Sequence, residues 1–200
     1  MTRWNIINYF IKKYNYKSYL EIGTFRDECI SEIKCEHKTG VDPVPAIRIE
    51  GSCDWFFKLN SDEFFASNRH EYDIIFIDGL HYSDQVIKDI ENSLMVLKDG
   101  GTIVVHDCKP QHKNTQVVPI PQVIGGWNGD VWRAWIKFRK YENLRMFVIN
   151  QDEGCGIIRR GKQINPIELK HQEVTYEEFA ENRELWLNLI NFNNVEEWLK

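Results

Sequence analysis

No apolar run in this chain approaches the ~20 residues needed to cross a bilayer. Its first residues, MTRWNIINYFIKKYNYK, alternate apolar and polar positions, so they do not read as a signal peptide. Excess positive charge is also missing. The 25 Lys and Arg face 30 Asp and Glu, a formal charge of −5, which argues against a nucleic-acid face built on bulk charge. The five cysteines (Cys29, Cys35, Cys53, Cys108, Cys155) include no C-x-x-C pair. Reduced thiols in a cytoplasmic protein are the simplest account, and a zinc site is not expected. The phosphate-cradling patterns G-x-x-x-x-G-K-[ST] and G-x-G-x-x-G are absent, which weighs against a P-loop enzyme and against hydride transfer to a nicotinamide. There is no internal repeat, low-complexity tract or long linker.

What is present suffices for a core. With 200 residues, 42% hydrophobic and 28% charged, the chain suits one ordinary α/β domain, and disorder or a fibrous build is excluded. Trp4, Ile7, Ile11 and Tyr14 recur at helical spacing and predict an amphipathic opening helix. Tyr19 to Gly23 reads as a buried strand ended by glycine, Arg26 to Lys34 as a helix, and Lys38 to Asp42 as a second strand stopped by Pro43. A short strand over Asp54 to Leu59 and a helix over Asp62 to Arg69 follow. Tyr72 to Asp78 and Thr102 to Asp107 are nearly all apolar, as parallel strands covered on both faces are. Between them runs a helix capped by Ser83, faced by Val86, Ile90, Leu94 and Leu97, with Lys98 in its last turn and Gly100-Gly101 ending it.

Pro110 to Asp130 is long and irregular, which in a compact domain points to function or mobility. Asp130 is expected to cap a helix faced by Val131, Ala134, Trp135 and Phe138, whose Arg133, Lys137, Arg139 and Lys140 form a solvated face. Leu144 to Ile149 and Gly156 to Arg159 are joined too closely for a parallel crossover, so they form a hairpin that adds an antiparallel edge strand. Thr175 and Glu178 make a capping box for a last helix carrying Phe179, Trp186 and Ile190. The aromatic-rich terminal helices leave a homodimer as an option. The domain plan is a helix over 1–17, a core sheet over 18–160 and a helical extension over 161–200, all in one domain. Alternating strands and helices imply a mostly parallel sheet with right-handed crossovers.

Ligands bind such sheets beyond the carboxyl ends of the strands. Those ends carry Glu21-Ile22-Gly23, Asp42-Pro43, Ser61-Asp62, Asp78-Gly79 and His106-Asp107, with His81 nearby. An edge this acidic repels phosphates and suits hydroxyls, a cationic ligand or a divalent metal. A glycine turn after the first strand, with an acid roughly 20 residues further on, favours a nucleoside site in which Asp42 accepts ribose hydroxyls.

The segments YLEIGTFRDE, GVDP, SDEFFA, YDIIFIDGLHYSDQVIKDI and LKDGGTIVVHD resemble the successive motifs of class I S-adenosylmethionine-dependent methyltransferases. The branch resembled is that of small sugar and natural-product O-methyltransferases related to macrocin and catechol O-methyltransferases. The resemblance covers roughly residues 18–160 and implies a Rossmann-like, seven-stranded, mostly parallel sheet with helices on both faces and an antiparallel C-terminal hairpin strand. It places the cofactor S-adenosylmethionine against Glu21, Gly23, Thr24, Asp42 and Asp78, with Ser61 and Asp62 near adenine. It also makes Asp78 and Asp107 candidate magnesium ligands for an acceptor hydroxyl. Without a metal, His81 or His106 is the candidate base, beside Asp107.

The chain departs from the pattern at Arg26-Asp27-Glu28, where a second glycine is common, and at Cys108, where Asn or an acid is common. Cys108 beside His106 and Asp107 is not a nucleophile set, because neighbouring strand residues point to opposite faces. Trp127 and Trp132 are candidates for stacking on a substrate ring, with core packing the stronger reading for Trp132. The function expected is methyl transfer to the hydroxyl of a small molecule such as a sugar or polysaccharide precursor. A metal-dependent hydroxylase-like or hydrolytic relative and a non-catalytic nucleoside-binding module remain open. The methyltransferase reading requires Gly23, Asp42, Asp78 and Asp107 to converge on one hollow.

Overall fold

Strict alternation of apolar side chains along the central strands builds two packed layers, one on each side of a single sheet. The computed structural model describes residues 1–121, 126–169, 171 and 173–200. Its strands are β1 (Ser18–Ile22), β2 (His37–Val41), β3 (Trp55–Phe57), β4 (Tyr72–Ile77), β5 (Leu97–Val105), β6 (Leu144–Ile149), β7 (Cys155–Arg160) and β8 (Leu189–Ile190). They form one sheet in the order β3-β2-β1-β4-β5-β7-β6-β8. Pairings among β1 to β5 are parallel, and β7 runs antiparallel to both β5 and β6. On one face Leu20, Ile22, Ile75, Ile77, Ile103 and Val105 pack together, and on the other Tyr19, Ile74, Phe76 and Val104 do. Because side chains alternate across a strand, a run with no polar break must be covered on both sides.

The helices are α1 (Arg3–Tyr14), α2 (Ser61–Ser67), α3 (Ser83–Val96), α4 (Val131–Phe138), α5 (Tyr176–Leu187) and α6 (Val195–Trp198). α1 buries Ile6, Ile7, Phe10 and Ile11, while Trp4 and Tyr14 stay half-buried, so its contact stripe lies a little to one side of the predicted one. Tyr9 and Phe192 meet edge-on at 5.1 Å, so aromatics of the two terminal segments pack on each other within the chain.

Several expectations change. Arg26 to Lys34 is not a helix beyond a single 3-10 turn at Ile30–Glu32. Phe25 and Asp27 adopt positive φ of 45° and 59°, and the buried Asp27 carboxylate accepts from the Ile49 N–H, Ser52 Oγ and Arg48, which ties this loop to the β2–β3 connection. Helix α3 ends at Val96, and Lys98 and Gly100-Gly101 belong to β5; Lys98 Nζ pairs with Asp73 at 3.2 Å. Neither expected cap forms. Ser83 is the first residue of α3, and Asp130 accepts from its N–H at 2.7 Å while making no side-chain cap on α4.

Arg139 is fully buried rather than solvated, because it donates to the carbonyls of Trp186, Ile164 and Asn165. The antiparallel strand β7 is internal rather than an edge, and the extension after residue 160 contributes β8, which pairs parallel with β6 and raises the count from seven strands to eight. Trp132 belongs to the core, stacked on Phe179 at 4.4 Å. Among the described residues no helix is long and apolar enough to cross a membrane.

Candidate active site

The carboxyl ends of β1, β2 and β4 open into a hollow of about 840 Å³, lined by Glu21, Gly23, Thr24, Asp42, Ser61, Asp62, Asp78 and His81. Every expected cofactor-binding residue is thus on its wall. Asp107 and His106 are not among the lining residues. They sit behind it, held against Asp78 and His81.

Gly23 makes the turn possible. Its φ is +90°, and a Cβ there would lie 2.2 Å from the Asp78 carbonyl oxygen, so only glycine lets β1 turn this tightly against the end of β4. Thr24 follows, buried, with an Oγ1 that has no hydrogen-bond partner. The Asp42 carboxylate spans the turn, accepting the N–H groups of Phe25 and Val44 at 2.8 Å each. Asn60 caps α2, which begins with Ser61 and Asp62. Gln85 Nε2 lies within hydrogen-bond distance of Ser61 Oγ (3.0 Å), Asp62 Oδ1 (2.9 Å) and Asp89 Oδ1 (3.1 Å). These bonds, with Lys88, hold the Asp62 carboxyl below its ordinary range. Sequence reading missed Gln85, which had only its place in the first turn of α3 to mark it.

Arg26 and Glu28 line the hollow without closing it, and Asp27 turns away into its contact with Arg48. The residues that replace a second glycine therefore leave the hollow open. Cys108 is buried off the hollow and lies 3.4 Å from the Val105 carbonyl; burial pushes its thiol far above its usual range, so it is neither nucleophile nor metal ligand.

Glu21 is 1% exposed. Burial pushes its carboxyl up to about 8; a hydrogen bond from Tyr19 opposes the rise and nearby Asp78 adds to it. It is a neutral acid at the floor of the hollow at pH 7.

At the end of β4 the charges interlock. His106 Nδ1 lies 3.1 Å from both Asp78 Oδ1 and Asp107 Oδ2. His81 Nε2 is 3.3 Å from Asp78, and its Nδ1 is 3.3 Å from Asp107. Burial alone would raise Asp78, but the two imidazoles hold it well below the carboxylate range. Burial opposes charge on the histidines too, yet the two aspartates override it and raise both. His106 was a candidate base; the structure instead makes it the buried cation that holds the two carboxylates together. Three partners were not foreseen. Asn128, buried on the segment before α4, donates to Asp107 Oδ1 at 2.7 Å. Asp152, in the β6–β7 turn, stands 3.6 Å from His106 Nε2, and Arg3 Nε stands 3.6 Å from Asp78.

Asp78, His81 and Asp107 each offer a ligand atom within 4.8 Å of the others. His81 Nδ1 is buried and has no hydrogen-bond partner. Two carboxylate oxygens and an imidazole fit a divalent cation, with His81 added to the pair expected from the sequence.

The long segment after β5 returns onto His81. Trp127 stacks on its ring at 5.1 Å and 17°, and Gly129 packs so closely that a Cβ would lie 1.9 Å from the His81 carbonyl oxygen. Gln122 to Gly125, part of the long irregular stretch expected over Pro110 to Asp130, lie outside the described residues.

Residues 37–108, from β2 to just past β5, match a family model described as a methyltransferase domain. No curated protein matches the chain significantly. Solved structures do. A candidate caffeoyl-CoA O-methyltransferase from Staphylococcus aureus aligns over 79% of this chain and 82% of its own, at 21% identity and a TM-score of 0.57. The methyltransferase PaMTH1 of Podospora anserina, solved with S-adenosylhomocysteine, aligns over 80% and 78% at 14% identity and 0.61. The O-methyltransferase TomG of Streptomyces achromogenes, solved with S-adenosylmethionine, aligns over 79% of each chain at 11% identity and 0.56. At such identities the structures establish the shared architecture, and the domain match covers the segment from β2 to just past β5. On these two findings the chain carries a methyltransferase-domain match over residues 37–108 and shares the fold of solved S-adenosylmethionine-dependent methyltransferases.

Proposed function

We propose that this enzyme methylates a hydroxyl group of a small molecule, with a sugar or polysaccharide precursor as the acceptor. The observation that carries the reading is the placement of His81, on the wall of the cofactor hollow with Asp107 at its Nδ1. S-adenosylmethionine, when bound, supplies a methyl on a sulfonium that leaves as a neutral thioether, so the protein has mainly to align the reactants and take up one proton. Gly23 and Thr24 take the methionine part, Asp42 the ribose hydroxyls, and Ser61 and Asp62 border the adenine. Asp78 and the surrounding acids favour a cationic ligand over a neutral one. Without a metal, His81 in its neutral form accepts the hydroxyl proton, its proton affinity raised by the two aspartates. Asp107 orients that ring, and Asn128 and His106 orient Asp107. Alternatively, a divalent cation such as magnesium held by Asp78, His81 and Asp107 would lower the pKa of the acceptor hydroxyl, with His81 then a ligand rather than the base.

Trp127 offers a flat face beside His81 of the kind on which sugar rings pack. The acceptor is a free small molecule, since a net charge of −5 suits neither nucleic acid nor an anionic membrane surface. Five unpaired thiols suit the cytoplasm. Isothermal titration with S-adenosylhomocysteine tests the core of the reading: micromolar binding is expected, and none at millimolar ligand would overturn it. A panel of free and nucleotide-linked sugars with labelled cofactor tests the acceptor. Transfer to catechols but to no sugar would discard the sugar and keep the reaction.

A further inference from the structure

Arg3 is the first residue of α1, yet its side chain reaches the wall of the cofactor hollow. Its backbone N–H donates to Asp152 Oδ2 at 2.5 Å, which fixes the root of the side chain. The guanidinium then lies among three acids at ion-pair range but beyond good hydrogen-bond range. Nε is 3.6 Å from Asp78, Nη1 is 3.6 Å from Asp152, and Nη2 is 3.9 Å from Glu28. Nε is buried and donates to no acceptor. A guanidinium carries five donors in a planar fork that matches a carboxylate. Here that fork is four-fifths buried, held in place by charge, and its donors remain open.

The rest of the wall is short of such groups. Arg26, the other lining guanidinium, is exposed and lies over its neighbour Phe25 at 5.2 Å. The far wall presents Asp42 and Asp62. Asp78, which Arg3 flanks, is the residue against which the Gly23 turn closes, so the Arg3 head lies at the glycine-turn end of the hollow. An amino-acid end of a ligand carries one carboxylate, and among these acids the buried cation of the wall is Arg3, since Arg26 is exposed.

We propose that Arg3 binds the α-carboxylate of the cofactor's methionine end, which makes the first turn of α1 part of the cofactor site. This rests on the reading of S-adenosylmethionine as the cofactor. The acids around Arg3 then do more than hold it in place, because Asp78 and Glu28 stand where the α-ammonium of the same zwitterion needs a partner.

Isothermal titration of the full-length protein with two ligands separates the outcomes. S-adenosylhomocysteine has the amino-acid end; 5′-methylthioadenosine keeps the nucleoside and thioether but lacks it. Arg3→Gln is expected to weaken the first by roughly ten- to hundredfold, the scale of a lost charge-assisted bond, and the second by less than about twofold. Arg3→Lys, which keeps the charge but not the fork, is expected to fall between, and it carries the comparison by itself if Arg3→Gln does not fold. Equal weakening of both ligands would make Arg3 a merely structural partner of Asp78 and Asp152 and overturn the proposal, as would unchanged binding of S-adenosylhomocysteine. A wild-type protein that binds neither ligand would defeat the cofactor reading itself, a result distinct from the other two.

Discussion

At the nucleoside end of the hollow, Asp42 is held by the backbone of Phe25 and Val44, and Asp62 by Gln85 and Lys88, all on neighbouring turns. At the histidine end, His81, His106 and Asp107 are held by Asn128 and Asp152, drawn from the segment before α4 and the β6–β7 turn. The first end is open, and its groups keep spare acceptor capacity for a ligand. The second is buried, and its charges pair with one another. On the proposed function, a site that binds a common cofactor and also aligns an acceptor separates the two roles. The nucleoside end should therefore act on binding and the histidine end on rate.

The sharpest way to break that division is Asp107→Ala. We expect kcat to fall by about a hundredfold or more, with S-adenosylhomocysteine affinity unchanged in titration. Equal losses of rate and binding would move Asp107 into the cofactor pocket and erase the distinction. Asp42→Ala should do the reverse, weakening cofactor binding roughly ten- to hundredfold with kcat at saturation nearly kept, as read from initial rates against cofactor concentration. Asn128→Ala removes the donor on Asp107 rather than the acid itself, so a loss in kcat of about tenfold is expected, again without change in cofactor affinity.

The smallest effect concerns the floor between the two ends. Glu21 titrates near 8 in the folded chain against an ordinary 4.5. Its folded pKa is raised, so its contribution to stability is intact below about 4.5 and declines as pH rises toward 8, by about 1.4 kcal/mol per unit at most. Glu21→Gln keeps the neutral form at every pH. Thermal melting should give equal Tm values at pH 4.5 and a variant several degrees more stable at pH 8. A variant less stable than wild type at both values would show that the acid is ionised in the fold.

The legible parts of this molecule were those where one segment suffices. The all-apolar runs of β4 and β5 announced a sheet covered on both faces, and the glycine after β1 and the acid after β2 both line the hollow as their strand-end places imply. The Thr175–Glu178 capping box appears as read, with its reciprocal bonds in place. Misreadings arose where a distant partner overrode a local preference. Arg26 to Lys34 has helical composition, but Asp27 gains more from Ile49, Ser52 and Arg48 than the helix would return. Arg139 has the spacing of a solvated face, but three carbonyls from the extension capture it. His106 and His81 could not be told apart by type or spacing, and burial separates them.

The sequence by itself determined the layering, the parallel core and the acidic rim, because hydrophobic period and turn chemistry act over a few residues. Only the tertiary structure decided which histidine faces the hollow, that Asn128, Asp152 and Arg3 join the aspartates, and that Asp27 leaves the cofactor's path clear. Those outcomes depend on charges brought together from distant points of the chain, and Coulomb forces between buried groups follow distance in space, which spacing in the sequence does not record.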